Sequence, residues 1–148
     1  METSDILSVI QAVFKGADAR DWPLAEQSFA PEVLYDYTSM AGGQPLTLTP
    51  AAIIGMWKQF LPGFDKTEHL ISDFKITEES NTAAVQFTGH ATHVIDKAVW
   101  IVEGTYETKL TRLADHWRLT FFKFNLQNQE GDLQLPALAQ ERASQPQR

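Results

Sequence analysis

Two histidines lie between Thr82 and Asp96, and histidine is the side chain whose unperturbed pKa lies nearest to neutral pH. Apolar and polar residues alternate in this stretch, which predicts a β-strand with one apolar and one mostly polar face. His93 falls on the apolar face and His90 on the polar face. An imidazole among apolar side chains needs a hydrogen-bond partner. The strand alone favours a paired core histidine, with proton transfer as the alternative.

A carboxylate takes a similar position on the first predicted helix. Asp18 continues the step of four that joins Ile10 and Phe14, so it extends the buried face of that helix. A negative charge at a helix C-terminus opposes the helix dipole. We therefore expect Asp18 to have a specific partner, unless the helix ends earlier and leaves it exposed.

Two tyrosines can supply phenol groups. Tyr37 shares a predicted strand face with Tyr35, where aromatic packing is the simpler interpretation. Tyr106 lies on the apolar face of a later strand, and Gly104 leaves space beside it. This position fits a packed tyrosine and a phenol that lines a pocket equally well, because a buried hydroxyl needs a partner in both cases.

The orientation of His69 depends on whether its strand is regular. Simple alternation places Leu70 inward and His69 outward, which predicts a surface residue. A β-bulge near Ser72-Asp73 would shift the register and turn His69 inward. Without that bulge His69 is a surface residue, which is the simpler interpretation of the sequence.

Cofactor motifs are absent from the sequence. It contains no P-loop, no dinucleotide-binding glycine motif and no G-x-S-x-G elbow. Asp18, His69 and His93 together resemble a two-histidine, one-carboxylate metal set. The same three groups suit proton transfer, and we predict no metal and no organic cofactor.

The composition narrows the function classes. The chain has 148 residues, 43% hydrophobic and 21% charged, with a net charge of −7 and no cysteine. This fits one globular domain. Lys and Arg do not cluster, so nucleic acid and membranes are not expected partners. The sequence begins without the basic region of a secretory signal and has no run of transmembrane length, so we expect a cytoplasmic protein.

The elements that must position these side chains form an α+β pattern. The predicted helices run from Ser4 or Asp5 to about Ala17, from Trp22 to Phe29 and from Pro50 to about Phe60. The predicted strands are 33–38, about 67–77, 82–95, 98–113 and 117–127. We expect a domain over residues 1–131. The tail over 132–148 is expected to form a short helix or to pack across the sheet, and to be disordered from Ala143.

The last strand indicates an additional contact surface. Trp117 to Leu126 is apolar on both faces. Such a strand needs a second layer or a partner subunit on its outer side. We therefore expect a homodimer through the outer face of the strand meander.

The element order and five short segments resemble the nuclear transport factor 2-like, SnoaL-like superfamily, most closely its scytalone dehydratase-like proteins. The segments are ADARDW at 17–22, YDYTSM at 35–40, IIGMW at 53–57, DKTEHLISD at 65–73 and GHATHVID at 89–96. The resemblance covers about Ile6 to Asn128. It implies a curved antiparallel sheet that three N-terminal helices close into a cone, an α+β barrel with one internal pocket.

The resemblance also implies an active site. Asp18 falls on the family's active-site aspartate and Tyr37 on its tyrosine, while His69 and His93 fall on its principal and second histidines. The implied activity is that of a lyase or isomerase, either a dehydratase or polyketide-cyclase-like. We expect Asp18 to hydrogen-bond the His93 ring and favour its protonated form. His69 would then shuttle the proton next to a carbonyl that Tyr37 polarises.

Two positions depart from the family pattern: Ala17 replaces a second tyrosine, and Tyr106 replaces an asparagine that contacts substrate. We expect an apolar pocket for a small apolar, aromatic or polyketide-like ligand. Its expected walls, from strand and helix faces and from the resemblance, are Phe14, Met40, Met56, Phe60, Ala91, Tyr106, Phe122 and Phe124. The alternative is a non-catalytic ligand-binding domain, because one fold hosts many functions.

Overall fold

The computed structural model describes residues 2–145, which form a six-stranded sheet and its covering helices. The helices are α1 (Glu2–Ala19), α2 (Trp22–Glu26), α3 (Thr38–Ala41), α4 (Pro50–Lys58), a 3₁₀ turn (Leu61–Gly63) and α5 (Leu135–Ser144). The strands are β1 (Phe29–Asp36), β2 (Leu46–Leu48), β3 (Lys66–Glu78), β4 (Thr82–Ile95), β5 (Ala98–Leu113) and β6 (His116–Gly131).

The strand order is β2-β1-β6-β5-β4-β3. Neighbouring strands are antiparallel except β1 and β6, which are parallel. The α+β class and the curved sheet covered by helices agree with the sequence prediction. The sheet does not close on itself, because β2 and β3 remain its two edges.

Two predicted helix starts are confirmed by their caps. Asp21 accepts a hydrogen bond from the Leu24 N–H at 3.3 Å at the start of α2. Thr49 accepts one from the Ala52 N–H at 3.2 Å at the start of α4, and Pro50 takes the first helical position. Side-chain oxygens at these positions satisfy amide groups that the helix leaves unpaired.

The end of the second helix was predicted wrongly. α2 ends at Glu26, and Phe29 opens β1 instead of closing the helix. Pro31 is tolerated in this strand because the pairing of β1 with β6 is irregular between Phe29 and Leu34. Tyr37 therefore follows β1 and precedes α3, rather than lying within a strand.

A β-bulge interrupts β3. The pairing with β4 shifts register between Ser72 and Lys75, and Asp73 adopts a positive φ of 59°. On the N-terminal side of the bulge His69 pairs with Ala91, which lies on the buried face of β4. Residues directly opposite in a sheet share a face. The alternation-based orientation of His69 is thus wrong, and the bulged alternative is correct.

One core lies between α1 and the inner face of the sheet. It contains the apolar face of α1 and the inward residues of β4, β5 and β6. Its fully buried large side chains include Ile6, Ile10, Val85, Leu110 and Phe122. No helix within residues 2–145 is long and apolar enough to span a membrane.

The C-terminal segment packs as a helix. Leu135 and Ala139 of α5 are buried against the 3₁₀ turn. A Cβ on Gly63 would lie 1.8 Å from the Ala139 carbonyl oxygen, so only glycine permits this approach. Arg142 adds an ion pair with Asp65 at 3.0 Å. This agrees with the short-helix alternative for the tail; α5 includes residues 143–144, where disorder was expected, and 146–148 lie outside the described residues.

Candidate active site

A cavity of about 420 Å³ lies between α1, α3, α4 and the inner face of the sheet. Such a volume is within the range of small-molecule sites. The lining residues between Ala41 and Leu46, with Met56, are exposed to solvent, so the cavity opens between α3, β2 and α4.

Seven of the eight expected wall residues line this cavity: Phe14, Met40, Met56, Phe60, Ala91, Tyr106 and Phe124. Phe122 does not. Its side chain is fully buried, and its ring packs against those of Phe14 and Phe29 with centroid distances of 6.1 and 5.8 Å. Phe122 therefore supports the wall from behind. The prediction that Phe122 lies on the cavity surface is therefore wrong.

Asp18 and His69 form the polar centre of the site. The Asp18 Oδ1 atom lies 2.6 Å from His69 Nδ1, and Oδ2 accepts the His69 backbone N–H at 2.7 Å. The ionised carboxylate can only accept, so Nδ1 donates to it, and in the neutral form of the ring the free lone pair is on Nε2. His69 lines the cavity. In that form the pair offers an imidazole nitrogen backed by a carboxylate, the arrangement that suits a general base.

Two residues that the sequence analysis missed hold Asp18 in place. Thr67 donates its hydroxyl to Asp18 Oδ1 at 2.9 Å and accepts from the Arg20 guanidinium at 2.9 Å. Arg20 also donates to the carbonyl oxygens of Ala17 and Leu61, each at 2.7 Å. A left-handed φ of 58° at Arg20 turns its side chain back to these groups.

The environment of Asp18 keeps it ionised. Burial acts to raise the pKa of its carboxyl, but the hydrogen bond and charge of His69, the His69 backbone N–H and Thr67 outweigh burial. The net result is a pKa below the ordinary value. A carboxylate that stays negative stabilises the imidazolium formed when His69 takes a proton.

His93 has a different partner from the one expected. Its Nδ1 lies 3.1 Å from the Trp100 carbonyl oxygen, whereas Asp18 pairs with His69. The expected Asp18–His93 hydrogen bond is therefore wrong. Helical spacing set the face on which Asp18 lies, but both histidines face the same wall, and that spacing could not choose between them.

The protonation state of His93 also differs from the expectation. Burial, only partly opposed by the Trp100 hydrogen bond, lowers the pKa of His93 to about 4. The ring is 4% exposed and packs against Phe64 and Trp100. Because a carbonyl only accepts, Nδ1 carries the proton, and a neutral His93 retains an acceptor at Nε2.

The two imidazoles meet at one end of the cavity. The His69 and His93 ring centroids are 6.1 Å apart and nearly perpendicular. Asp18 uses both carboxylate oxygens on His69 and Thr67. Within residues 2–145 no group of three or more histidines and acidic residues is arranged to hold a metal. The two-histidine, one-carboxylate metal alternative is therefore not formed by this geometry.

Three phenols form the other polar group of the cavity. The Tyr35 and Tyr37 rings are stacked with centroids 4.8 Å apart, and Trp57 Nε1 donates to the Tyr35 hydroxyl at 2.9 Å. Burial raises the pKa of each of the three tyrosines, so they are neutral donors at neutral pH. Gly89 makes room for this group, since a Cβ there would lie 2.5 Å from Tyr106 Cε1.

The sequence contains weak indications of the site residues that were not predicted. Thr67 lies two positions before His69 and so shares its strand face. Arg20 belongs to the ADARDW segment that placed Asp18. Tyr35 lies two positions before Tyr37 and so shares its predicted strand face. The Trp57 indole is on the buried side of α4, where its N–H required an acceptor.

Structural comparisons agree with this fold. A protein of Kribbella flavida is 23% identical with a TM-score of 0.81, covering 93% of this chain and 95% of that one. A Novosphingobium aromaticivorans protein with the provisional name scytalone dehydratase is 18% identical, with a TM-score of 0.76 and coverage of 88% and 87%. A hexachlorocyclohexane dehydrochlorinase from Novosphingobium barchaimii is 10% identical, with a TM-score of 0.75 and coverage of 89% and 90%.

The sequence comparisons identify the family. None of the curated proteins compared with the chain matches it significantly. The profile of the SnoaL-like domain matches residues 2–123, which include α1, the cavity-lining residues other than Phe124, and both His69 and His93. The chain belongs to the SnoaL-like domain family.

Proposed function

We propose that the protein is a lyase or isomerase of the dehydratase or polyketide-cyclase type, with His69 as general base. The observation that carries the proposal is the Asp18–His69 pair at 2.6 Å on the wall of a largely apolar cavity. His69 Nε2 would remove a proton from a carbon next to a carbonyl, and Asp18 would stabilise the imidazolium. In a dehydration the electron pair of the C–H bond forms the new C=C double bond and expels the hydroxyl group, which takes the proton from the His69 imidazolium and leaves as water.

Tyr37 and Tyr106 would donate hydrogen bonds to the carbonyl oxygen of the ligand. They are neutral donors, and a donor aimed at an oxygen that gains negative charge stabilises an enolate more than a ketone. His93 would accept a hydrogen bond from a hydroxyl of the ligand, because its neutral Nε2 has no proton to give. The proposed steps need no metal or organic cofactor.

The ligand class follows from the walls. Aromatic and aliphatic side chains form most of the cavity surface, and few polar groups interrupt it. We propose a small apolar, aromatic or polyketide-like ligand that carries a carbonyl. Two structural neighbours carry the names of enzymes that remove a proton and a leaving group, a dehydratase and a dehydrochlorinase, which supports an elimination.

We also propose a homodimer and a cytoplasmic location. The dimer is supported by apolar residues of the outer sheet face, the partly buried Val94 on β4 and Ile101 on β5 and the exposed Leu70 on β3. Sedimentation at micromolar concentration would contradict the dimer if only a monomer were found. Fractionation of cells expressing the native gene tests the location.

A compound screen tests the activity. Cyclic β-hydroxyketones and aromatic polyketide analogues are incubated with the wild type and with His69→Gln, and proton exchange and loss of water are followed by NMR. We expect exchange at the carbon next to the carbonyl only in the wild type, with a loss of about 10²-fold or more in the variant. Binding without exchange in both proteins would instead support the non-catalytic alternative.

A further inference from the structure

The turn that follows α1 contains arginine where glycine would be the favoured residue. The Arg20 N–H donates to the Ala17 carbonyl oxygen at 3.3 Å. The Asp21 N–H donates to the Gly16 carbonyl oxygen at 2.8 Å. These two bonds form a Schellman motif, in which the residue after the helix is left-handed and is usually glycine. Arg20 has a φ of 58°, which is unfavourable for a residue with a Cβ, so its side chain is expected to have a role.

The Arg20 side chain joins three segments around Asp18. Its Nη1 atom donates to the Ala17 carbonyl oxygen at 2.7 Å and to the Thr67 hydroxyl oxygen at 2.9 Å. Its Nη2 atom donates to the Leu61 carbonyl oxygen at 2.7 Å. Ala17 and Leu61 both line the cavity. The guanidinium therefore ties the end of α1 to β3 and to the 3₁₀ turn beside the candidate base.

The guanidinium also fixes the direction of a hydrogen bond to Asp18. Arginine can only donate, so the Thr67 oxygen accepts from Arg20. The Thr67 hydroxyl proton is then left for Asp18 Oδ1, which lies 2.9 Å away. The same carboxylate oxygen accepts from His69 Nδ1 at 2.6 Å. Each contact from Arg20 to the His69 ring therefore has one permitted direction while Asp18 is ionised.

We propose that Arg20 is a positioning residue for the Asp18–His69 pair. It directs the Thr67 hydroxyl proton onto Asp18, and the left-handed turn is kept because it brings the guanidinium to that hydroxyl. Connected hydrogen bonds strengthen one another, so loss of the first should loosen the last. That the pair acts as a general base rests on the proposed function. The positioning of the carboxylate does not depend on turnover.

The first test uses the protein without ligand. The readout is the ratio of the two neutral tautomers of the His69 ring, obtained from ¹⁵N shifts of histidine-labelled protein. Asp18 favours the proton on Nδ1, so a loosened carboxylate raises the fraction with the proton on Nε2. Arg20→Gly removes the guanidinium and supplies the residue that the turn favours, so the fold is expected to persist. We expect the ratio of the Nε2–H to the Nδ1–H tautomer to rise about two- to tenfold.

Two further variants separate the guanidinium from its backbone and its charge. Ala114→Gly relieves another left-handed position, with a φ of 48° between β5 and β6, and removes only a methyl group. It should leave the tautomer ratio unchanged. Arg20→Lys keeps the positive charge but lacks the planar fork of donors, so it should shift the ratio in the same direction by a smaller factor.

A double variant tests the route from Arg20 to Asp18. Because Arg20 acts through Thr67, Arg20→Gly should change the ratio no further in a Thr67→Val background. Additive shifts in the double variant, or an unchanged ratio in Arg20→Gly, would overturn the proposal. If Arg20→Gly does not fold, Arg20→Lys takes its place, and an unchanged ratio in that variant has the same meaning.

The second test measures turnover in the proton-exchange assay. If the proposed chemistry holds, Arg20→Gly should lower kcat about two- to tenfold and leave KM nearly unchanged, because a loosened carboxylate orients the base less well. A changed tautomer ratio in a protein without turnover supports this inference and contradicts the proposed function. Turnover together with an unchanged ratio in Arg20→Gly contradicts this inference alone, so the two failures are distinguishable.

Discussion

Asp18 binds His69 twice, once at the ring through Oδ1 and once at the backbone N–H through Oδ2. The second bond fixes the carboxylate to the strand that carries the imidazole, so the two groups cannot drift apart independently. The C-terminal end of α1 is thereby joined to the edge strand β3 at the candidate base, His69. Loss of this carboxylate should affect both the chemistry and the acid stability of the protein.

Asp18→Asn should make stability less sensitive to acid. The pKa of Asp18 is lower in the folded protein than its ordinary value of 3.8. A depressed carboxyl pKa contributes stability that is present above the unfolded value and is lost as the pH falls through the folded value. Urea unfolding of the wild type between pH 7 and pH 3 should therefore show a loss below about pH 4 that is smaller in Asp18→Asn.

The control for this prediction is Asp5→Asn, which changes an exposed carboxylate at the start of α1. It should keep the wild-type acid profile. Equal profiles for Asp18→Asn and the wild type would mean that the His69 contact does not depend on charge.

His93 should remain neutral down to a pH of about 4. A base whose pKa is lowered by folding binds its proton more readily in the unfolded chain than in the folded protein. The free energy of unfolding therefore decreases as the pH drops from 6.5, the ordinary pKa of His93, to about 4, its folded pKa. The cost at pH 4 is about 3 kcal/mol. Nitrogen-15 NMR of the ring should show a proton on Nδ1 throughout pH 5–7; titration near pH 6.5 would contradict this.

Thr67→Val changes the volume of the side chain very little, but it should impair the site. Valine keeps the shape but removes the hydroxyl that joins Asp18 and Arg20, both of which lose a partner. We expect a loss of about 1–3 kcal/mol in the free energy of unfolding. If the proposed chemistry holds, kcat should fall while KM changes little, because the loosened carboxylate no longer orients His69.

Thr108→Val is the matched control. Thr108 is equally buried and donates its hydroxyl to the Val85 carbonyl oxygen at 2.8 Å, away from the cavity wall. It should lose similar stability with unchanged kcat. Parallel losses of kcat in both variants would show that the effect of Thr67 is one of general stability.

Gly89→Ala should disturb the phenol cluster. The added methyl group would lie 2.5 Å from Tyr106 Cε1, so the ring must move. Overpacking of this kind costs about 1–3 kcal/mol, measured by urea unfolding. Gly55→Ala is the opposite case. Gly55 lies inside α4, and no atom lies within 4 Å of the added methyl group. It should stabilise the protein by about 0.5–1 kcal/mol.

Regular elements made most of the fold and part of the site predictable. His93 was placed on the inner face because β4 alternates without interruption from Ala83 to Ile95. The caps at Asp21 and Thr49 fixed two helix starts through local chemistry. His69 was different, since the backbone conformation of Asp73 decides its orientation and no apolar pattern records that conformation.

The partner of Asp18 could not be predicted from the sequence for another reason. Helix periodicity gives the face on which a carboxylate lies, but the distance to each histidine depends on how α1 crosses the sheet. Thr67, which binds Asp18, pairs with His93 across β3 and β4, so His93 lies one strand away from a residue that contacts Asp18. The interaction of Trp57 with Tyr35 likewise depends on the packing of α4 against β1, which no spacing within either element determines.

The bulge in β3 has an evolutionary consequence. Removing one residue between Ser72 and Lys75 would restore regular alternation and exchange the two faces of everything before it, including His69 and Thr67. A single codon lost or gained in this segment therefore separates a chain with a base in its cavity from one with the same walls and no base. Relatives that differ in length here are expected to differ in chemistry, even where their other site residues are identical.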